Sequence, residues 1–289
     1  MIWVILIIIS AIFLSIKTIS TKKLLMHHDT IHLLFFTSLI LTLSMLFFYR
    51  SISLNFSAYI YVLIVVKSLI IAISWYCIYR AYQKLDISIV SPLRNLSPIF
   101  LVILSFIFLG ERLSLINYIG LFLLIISAYM LEIKSIKHIF KPFEFFKTKY
   151  FLLIVLSLIG GSFSAILDKI ILKSINHYTL MFVFYLSVTI IYLIFMIITK
   201  DFKRFQDFKG RKSVILIIII SLAALLADFT YFKAVAMPTT MIILIIPLRR
   251  LSTFFSTIFG GKIFKEKNLL YKGIVCLIMI ISLTLMLLS

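Results

Sequence analysis

The side chains with chemical capacity lie inside long apolar runs. Arg94, Arg249, Arg250, Asp168, Lys169 and Asp228 are ionisable residues set in stretches built mainly of Ile, Leu and Phe. An ionisable group at depth in hydrocarbon costs about 2.5–3.5 kcal/mol on insertion scales, so such groups rarely face lipid. The planar guanidinium fork suits carboxylate and phosphate, which makes Arg94 and Arg249 candidate anion-binding residues. Arg250 is one step of about 100° around a helix from Arg249, so one of the two is expected to face a shared cavity. Asp228 and Arg249 occupy consecutive runs and could form an ion pair between helices. A low dielectric disfavours a charged carboxylate, so Asp168 and Asp228 are also candidate proton sites. The structural alternative for both acids is an ion pair that only holds helices together. Lys17 and Lys67 are expected to snorkel toward the span ends. Glu111 and Glu266, beside Arg112 and Lys267, are expected to cap or pair at the membrane surface.

Pro92, Pro98 and Pro247 interrupt two of the apolar runs. A proline within a helix removes a backbone hydrogen bond and kinks it. Freed carbonyls are tolerated where they line a cavity, so these prolines are candidate helix breaks or gates. Tyr76 and Tyr231 lie deeper than the interfacial aromatics around them, and each offers an apolar face and a hydroxyl to a cavity wall. Gly160-Gly161 and Gly260-Gly261 supply four of only eight glycines and are expected to allow close helix contact.

The elements that must position these residues follow from composition. Of 289 residues, 63% are hydrophobic and 13% charged, and the mean hydropathy is +1.19. A soluble domain carries about 25% charged residues, and this chain has too few polar groups to cover a core. Ten apolar stretches are each long enough to cross roughly 30 Å of hydrocarbon. They run over about 2–21, 30–49, 58–82, 87–109, 114–133, 150–172, 178–199, 213–236, 239–261 and 268–288. Backbone amides in lipid must bond within their own segment, so the expected fold is all-α and polytopic, with ten transmembrane helices. The first stretch lacks a basic n-region and a small-residue cleavage site, and it reads as a retained span.

The net charge of +19 is distributed unevenly along the chain. Nineteen Lys and Arg residues fall on the odd-numbered connections and their flanks, among them Lys22, Lys84, Lys134, Arg204 and Lys265, against three on the other side: Arg50, Arg112 and Lys173. The positive side is expected to be cytoplasmic, in a cell (inner) membrane, which places both termini outside. These cations sit between apolar runs and not in a groove with surface aromatics, which argues against nucleic acid as a partner. Cys77 and Cys276 lie within apolar runs and imply neither a disulfide framework nor a zinc site.

A shift of 155 residues aligns Ser91-Pro92-Leu93-Arg94-Asn95-Leu96-Ser97 with Ile246-Pro247-Leu248-Arg249-Arg250-Leu251-Ser252 without a gap. The same shift pairs Tyr76 with Tyr231, Ala81 with Ala236 and Glu111 with Glu266. Five spans per half is an odd number, so the halves, 1–140 and 149–289, are expected to sit in opposite orientations. Inverted repeats with broken helices at corresponding positions are the architecture of secondary transporters.

These features together resemble the EamA-type branch of the drug/metabolite transporter superfamily. Pro98 precedes Gly110-Glu111 at that family's spacing, Gly120 follows in the next span, and Tyr76 and Ala81 match a Tyr-x-x-x-x-Ala pattern. The second half departs from it, with Thr253 for the proline, Lys265 for the glycine and Gly273 two residues early. The resemblance implies a substrate cavity between the halves, lined by spans one, three, four, six, eight and nine. It also implies cytoplasmic termini, opposite to the orientation drawn from the basic bias.

The expected function is secondary transport of a small polar or anionic metabolite by alternating access. Candidate substrate-binding residues are Tyr76, Arg94, Asp228, Tyr231 and Arg249. A flippase-like transporter of a lipid-linked sugar or phosphate is the alternative. A membrane-embedded transferase is disfavoured: no P-loop, HExxH, nucleophile elbow or Asp-rich metal motif is present, and the five histidines form no ligand pattern. No cofactor or metal is expected. The partners expected are the bilayer and a small-molecule substrate, with proton coupling left open.

Overall fold

The computed structural model describes residues 2–25, 28–84, 96–132, 149–199 and 210–252, with 255, 259, 274–275, 278, 281–282 and 285. Nine α-helices occur among them: α1 (Ile2–Leu25), α2 (Thr30–Met45), α3 (Ala58–Lys84), α4 (Ser97–Leu109), α5 (Leu115–Glu132), α6 (Lys149–Ile171), α7 (His177–Thr199), α8 (Arg211–Val235) and α9 (Ile242–Arg249). A 3-10 segment, Leu46–Ser51, follows α2. The expected count of ten is not reached among these residues. The last stretch lies largely outside them, although 274–275, 278, 281–282 and 285 are helical. Six helical segments are long and apolar enough to cross a membrane, while Ser97–Leu109 and Leu115–Ser127 are shorter apolar helices.

The packing inverts the rule for water-soluble proteins. Phe106, Ile107, Ile198 and Phe122 point outward, while Ser10, Ser68, Thr30, Lys67 and Asp168 are buried. Outward apolar faces and an inward polar set are what a lipid solvent selects. Several interior hydroxyls bond within their own helices: Thr37 donates to the Leu33 carbonyl, Ser68 to Ile64 and Ser221 to Ile217, each four residues back.

Helix ends follow local chemistry. The Asp29 side chain accepts the Ile31 N–H at 3.1 Å and so caps α2. Gly110 ends α4 with φ of 65°, a left-handed conformation that glycine adopts without strain. Pro98 lies in the first turn of described α4 and not in its interior, a position where its missing N–H costs little. Pro247 is inside α9.

The most extensive helix contacts are α1 on α8 and α3 on α6; α2 on α7, α4 on α6, α3 on α7 and α2 on α8 follow. The α3–α6 contact is close because Gly160 has no side chain. A Cβ there would run into the Ser74 hydroxyl and lie 3.2 Å from the Ile70 side chain.

Candidate functional site

A cavity of about 360 Å³ runs between the packed helices. It is walled by α1 (Leu14 to Leu25), α3 (Lys67 to Gln83) and α6 (Ser157 to Asp168). Ser97 of α4, Phe184 of α7, residues of α8, and Ile246, Arg249 and Arg250 complete it. The six spans expected to line a cavity all contribute, with Phe184 added.

Its inner end is one connected polar network. Lys67 of α3 forms an ion pair with Asp168 of α6, Nζ to Oδ1 at 3.1 Å, and is only 2% exposed. The Tyr231 hydroxyl donates to the other Asp168 oxygen at 3.1 Å. The Tyr231 ring centroid lies 4.3 Å from the Arg249 guanidinium carbon. Arg249 donates to Asp228 Oδ1 at 2.5 Å, and the Tyr185 hydroxyl donates to Asp228 Oδ2 at 2.8 Å. Arg249 Nε also donates to Ser10 Oγ at 3.0 Å, and Ser10 donates to the Ala227 carbonyl at 2.6 Å. Charges held this way meet their desolvation cost through several partners at once.

The site residues expected from sequence are placed as follows. Asp168, Asp228, Tyr231 and Arg249 come together, and the α8–α9 ion pair read as open to Asp228 and Arg249 is formed. Arg249 and Arg250 both line the cavity, so the expectation that only one would face it fails. Arg250 sits at the C-cap of α9 and donates to Ser97 Oγ at 2.5 Å, while Arg249 turns toward α8 and α1. Tyr76 stands apart from the cavity lining: its ring packs on Phe195 at 5.8 Å, with the Arg80 guanidinium carbon 5.9 Å from its centroid. Arg94 and Pro92 lie outside the described residues, as do Thr253, Gly260, Gly261, Lys265, Glu266 and Gly273.

Lys67 does not snorkel. It lies nine residues into α3, about 13 Å along the axis at 1.5 Å per residue, farther than a lysine reaches. That depth was the sequence signal for a buried partner. Ser10 and Tyr185 carry no sequence signal; each is a common polar residue in an apolar run.

The cavity extends along the C-terminal halves of α1 and α3 to Lys22, Leu25, Tyr82 and Gln83. At the other ends of these helices the chain is tied together. Both Glu111 carboxylate oxygens accept N–H groups at the start of α9, from Ile242 at 3.0 Å and Ile243 at 3.1 Å. Gly110 supplies the turn that aims Glu111 there, so the Gly-Glu pair caps a distant helix. Asn176 donates to the Ser51 carbonyl and the Ser53 N–H to Thr179 Oγ1, both at 3.0 Å. Phe48 packs on Tyr178 and Phe229 beside them. Lys169 closes the end of α8 by donating to the Val235 and Met237 carbonyls and to Thr240 Oγ1.

The apolar exterior, the helical bundle and the buried charges define a multi-pass membrane protein. Residues 1–133 match the model of the EamA-like transporter family, so the first part of this chain is similar to that family. Solved structures share the fold: one, described only as a crystal structure of a protein, matches with a TM-score of 0.74 at 12% identity. The match covers 97% of this chain and 95% of that one. No curated protein matches the sequence.

Proposed function

We propose that the protein is a secondary transporter of a small polar or anionic metabolite, working by alternating access. The observation that carries this reading is the network of Lys67, Asp168, Tyr231, Asp228 and Arg249 at the inner end of a cavity lined from both parts of the chain. Among the described residues, five cationic side chains line that cavity (Lys17, Lys22, Lys67, Arg249 and Arg250) against two carboxylates, Asp168 and Asp228. The excess of positive charge favours an anion, and Trp75, Phe184, Tyr231 and Phe232 supply apolar walls.

The two-repeat arrangement, 1–140 and 149–289 with ten spans in all, belongs to this proposal. The helix contacts support it. Renumbering each helix by five turns α1–α8 into α6–α3, α4–α6 into α9–α1, and α3–α7 into α8–α2, and every one of these pairs is packed. A contact pattern that survives exchange of the halves is what a repeat produces. Rocking of one half on the other would then close the open end and release the end tied by Glu111 and Asn176. With the basic side cytoplasmic, the cavity opens inward. Pro247 serves as a helix discontinuity and Pro98 opens α4, with Asp168 and Asp228 as candidate proton carriers and Arg94 as a further anion-binding residue.

A thermal-shift screen of anionic and polar metabolites tests the binding claim. Ligand at 100 times its Kd stabilises the folded state by about 2.7 kcal/mol. A hit whose shift disappears in Arg249→Ala or Arg94→Ala is the expected result. A hit unchanged in both variants moves the site elsewhere.

A further inference from the structure

The Lys67 ammonium occupies a box with the composition of a cation-binding site. Asp168 supplies a carboxylate oxygen at 3.1 Å, and the Phe184 ring centroid lies 3.5 Å from Nζ. The Phe232 centroid is 5.4 Å away. A carboxylate opposed by aromatic faces is the arrangement that recognises a primary ammonium, because ring faces attract cations and the carboxylate takes the charge-assisted hydrogen bond. Here a side chain of the protein fills it. Lys67 and Asp168 come from different helices, α3 and α6, and both border the cavity. Tyr231 fixes the second Asp168 oxygen, so the carboxylate keeps its aim when the lysine is absent.

We propose that Lys67 is a built-in counter-cation that plugs a latent primary-ammonium site formed by Asp168, Phe184 and Phe232, and so bars cationic substrates from the transport cavity. The consequence for selectivity rests on the cavity being the substrate site; the site itself does not. Truncating Lys67 to alanine removes a propyl chain and an ammonium, which is the outline of n-propylammonium. The variant should therefore accept that ion in the space the side chain leaves. A lone Asp168 carboxylate in the protein interior is costly, so the free ion should stabilise the variant and not the parent protein.

The test uses purified full-length protein in lipid nanodiscs and n-propylammonium chloride, with sodium chloride and 1-propanol as ionic and neutral controls. Lys67→Ala should show a saturable rise in Tm with n-propylammonium, half-complete on the order of millimolar concentrations. Wild type and Lys67→Ala/Asp168→Asn should show none. Where Lys67→Ala does not survive purification alone, its recovery in buffer containing the amine is the readout. Recovery only with n-propylammonium supports the proposal. A folded Lys67→Ala without an amine-specific shift overturns it, as does a shift equal to wild type or failure to recover in either buffer. None of these readouts requires transport, so a failed amine test leaves metabolite flux by the wild type as a separate question.

Discussion

Tyr231 and Arg249 face each other across α8 and α9, with the guanidinium carbon 4.3 Å from the ring centroid. The same tyrosine donates its hydroxyl to Asp168 at 3.1 Å, so one side chain joins the two ion pairs through two separable interactions. Tyr231→Phe keeps the ring under Arg249 and removes a donor from a buried carboxylate, a loss of about 1–3 kcal/mol. Tyr231→Leu also loses the cation–ring contact, a further ~1–2 kcal/mol. Unfolding in detergent should rank wild type above Tyr231→Phe and Tyr231→Leu last. Equal losses in the two variants would show that the ring contact contributes nothing.

The Asp228–Arg249 pair should behave as a unit. Each side chain keeps limited exposure, 13% and 16%, so removing either one should cost about 3 kcal/mol, the low end for a broken buried pair. Asp228→Ala/Arg249→Ala should cost less than the two single losses together, because neither charge is stranded. A double-mutant cycle on unfolding free energies checks this, and strict additivity would mean the pair is not coupled.

Glu111 should tie α4 to α9 in a pH-dependent way. Glu111→Ala removes the acceptors of two N–H groups and should cost about 1 kcal/mol, as loss of a helix cap does. Burial holds the Glu111 carboxyl above the ordinary glutamate value of 4.5, outweighing the N–H bonds that favour its charged form. The folded protein thus binds this proton more tightly than the unfolded chain. This group's contribution to stability rises as pH falls through the folded-state value and levels off below 4.5. Glu111→Gln should flatten that segment in Tm measured between about pH 8 and pH 4.5. A variant profile parallel to wild type would contradict the assignment.

Gly160 should be required by the approach of α6 to α3. Gly160→Ala forces a Cβ onto the Ser74 hydroxyl and should cost about 1–3 kcal/mol, as overpacking does. Ser74→Ala removes the colliding oxygen, so Gly160→Ala/Ser74→Ala should recover most of the loss in thermal unfolding. No recovery would place the constraint on the Ile70 side chain, 3.2 Å from the added Cβ.

The spans were legible because hydrocarbon imposes one dominant requirement, a long apolar run, and α3, α6, α7 and α8 begin and end within two residues of the stretches read from sequence. The same composition hid the site. In a chain of Ile, Leu and Phe, charged residues announce themselves, and Asp168, Asp228 and Arg249 were found that way. Which charge meets which depends on helix rotation, and apolar faces encode that weakly. Lys67 therefore reads from sequence as a lysine that snorkels to its span end, and Tyr76, by its depth, as a cavity-wall residue. The 155-residue correspondence places those two tyrosines at matching positions along α3 and α8, yet Tyr231 meets Asp168 and Tyr76 meets Phe195. Ser10 and Tyr185 became visible only through their partners.

The central claim is that the cavity carries a solute across the bilayer. Substrate-dependent flux in proteoliposomes, across a panel of radiolabelled anionic and polar metabolites, tests it most directly. Saturable uptake or counterflow of at least one compound, abolished in Asp228→Ala/Arg249→Ala while that variant remains folded, is the predicted result. Absence of protein-dependent flux for every compound, or flux indifferent to that double substitution, would contradict it.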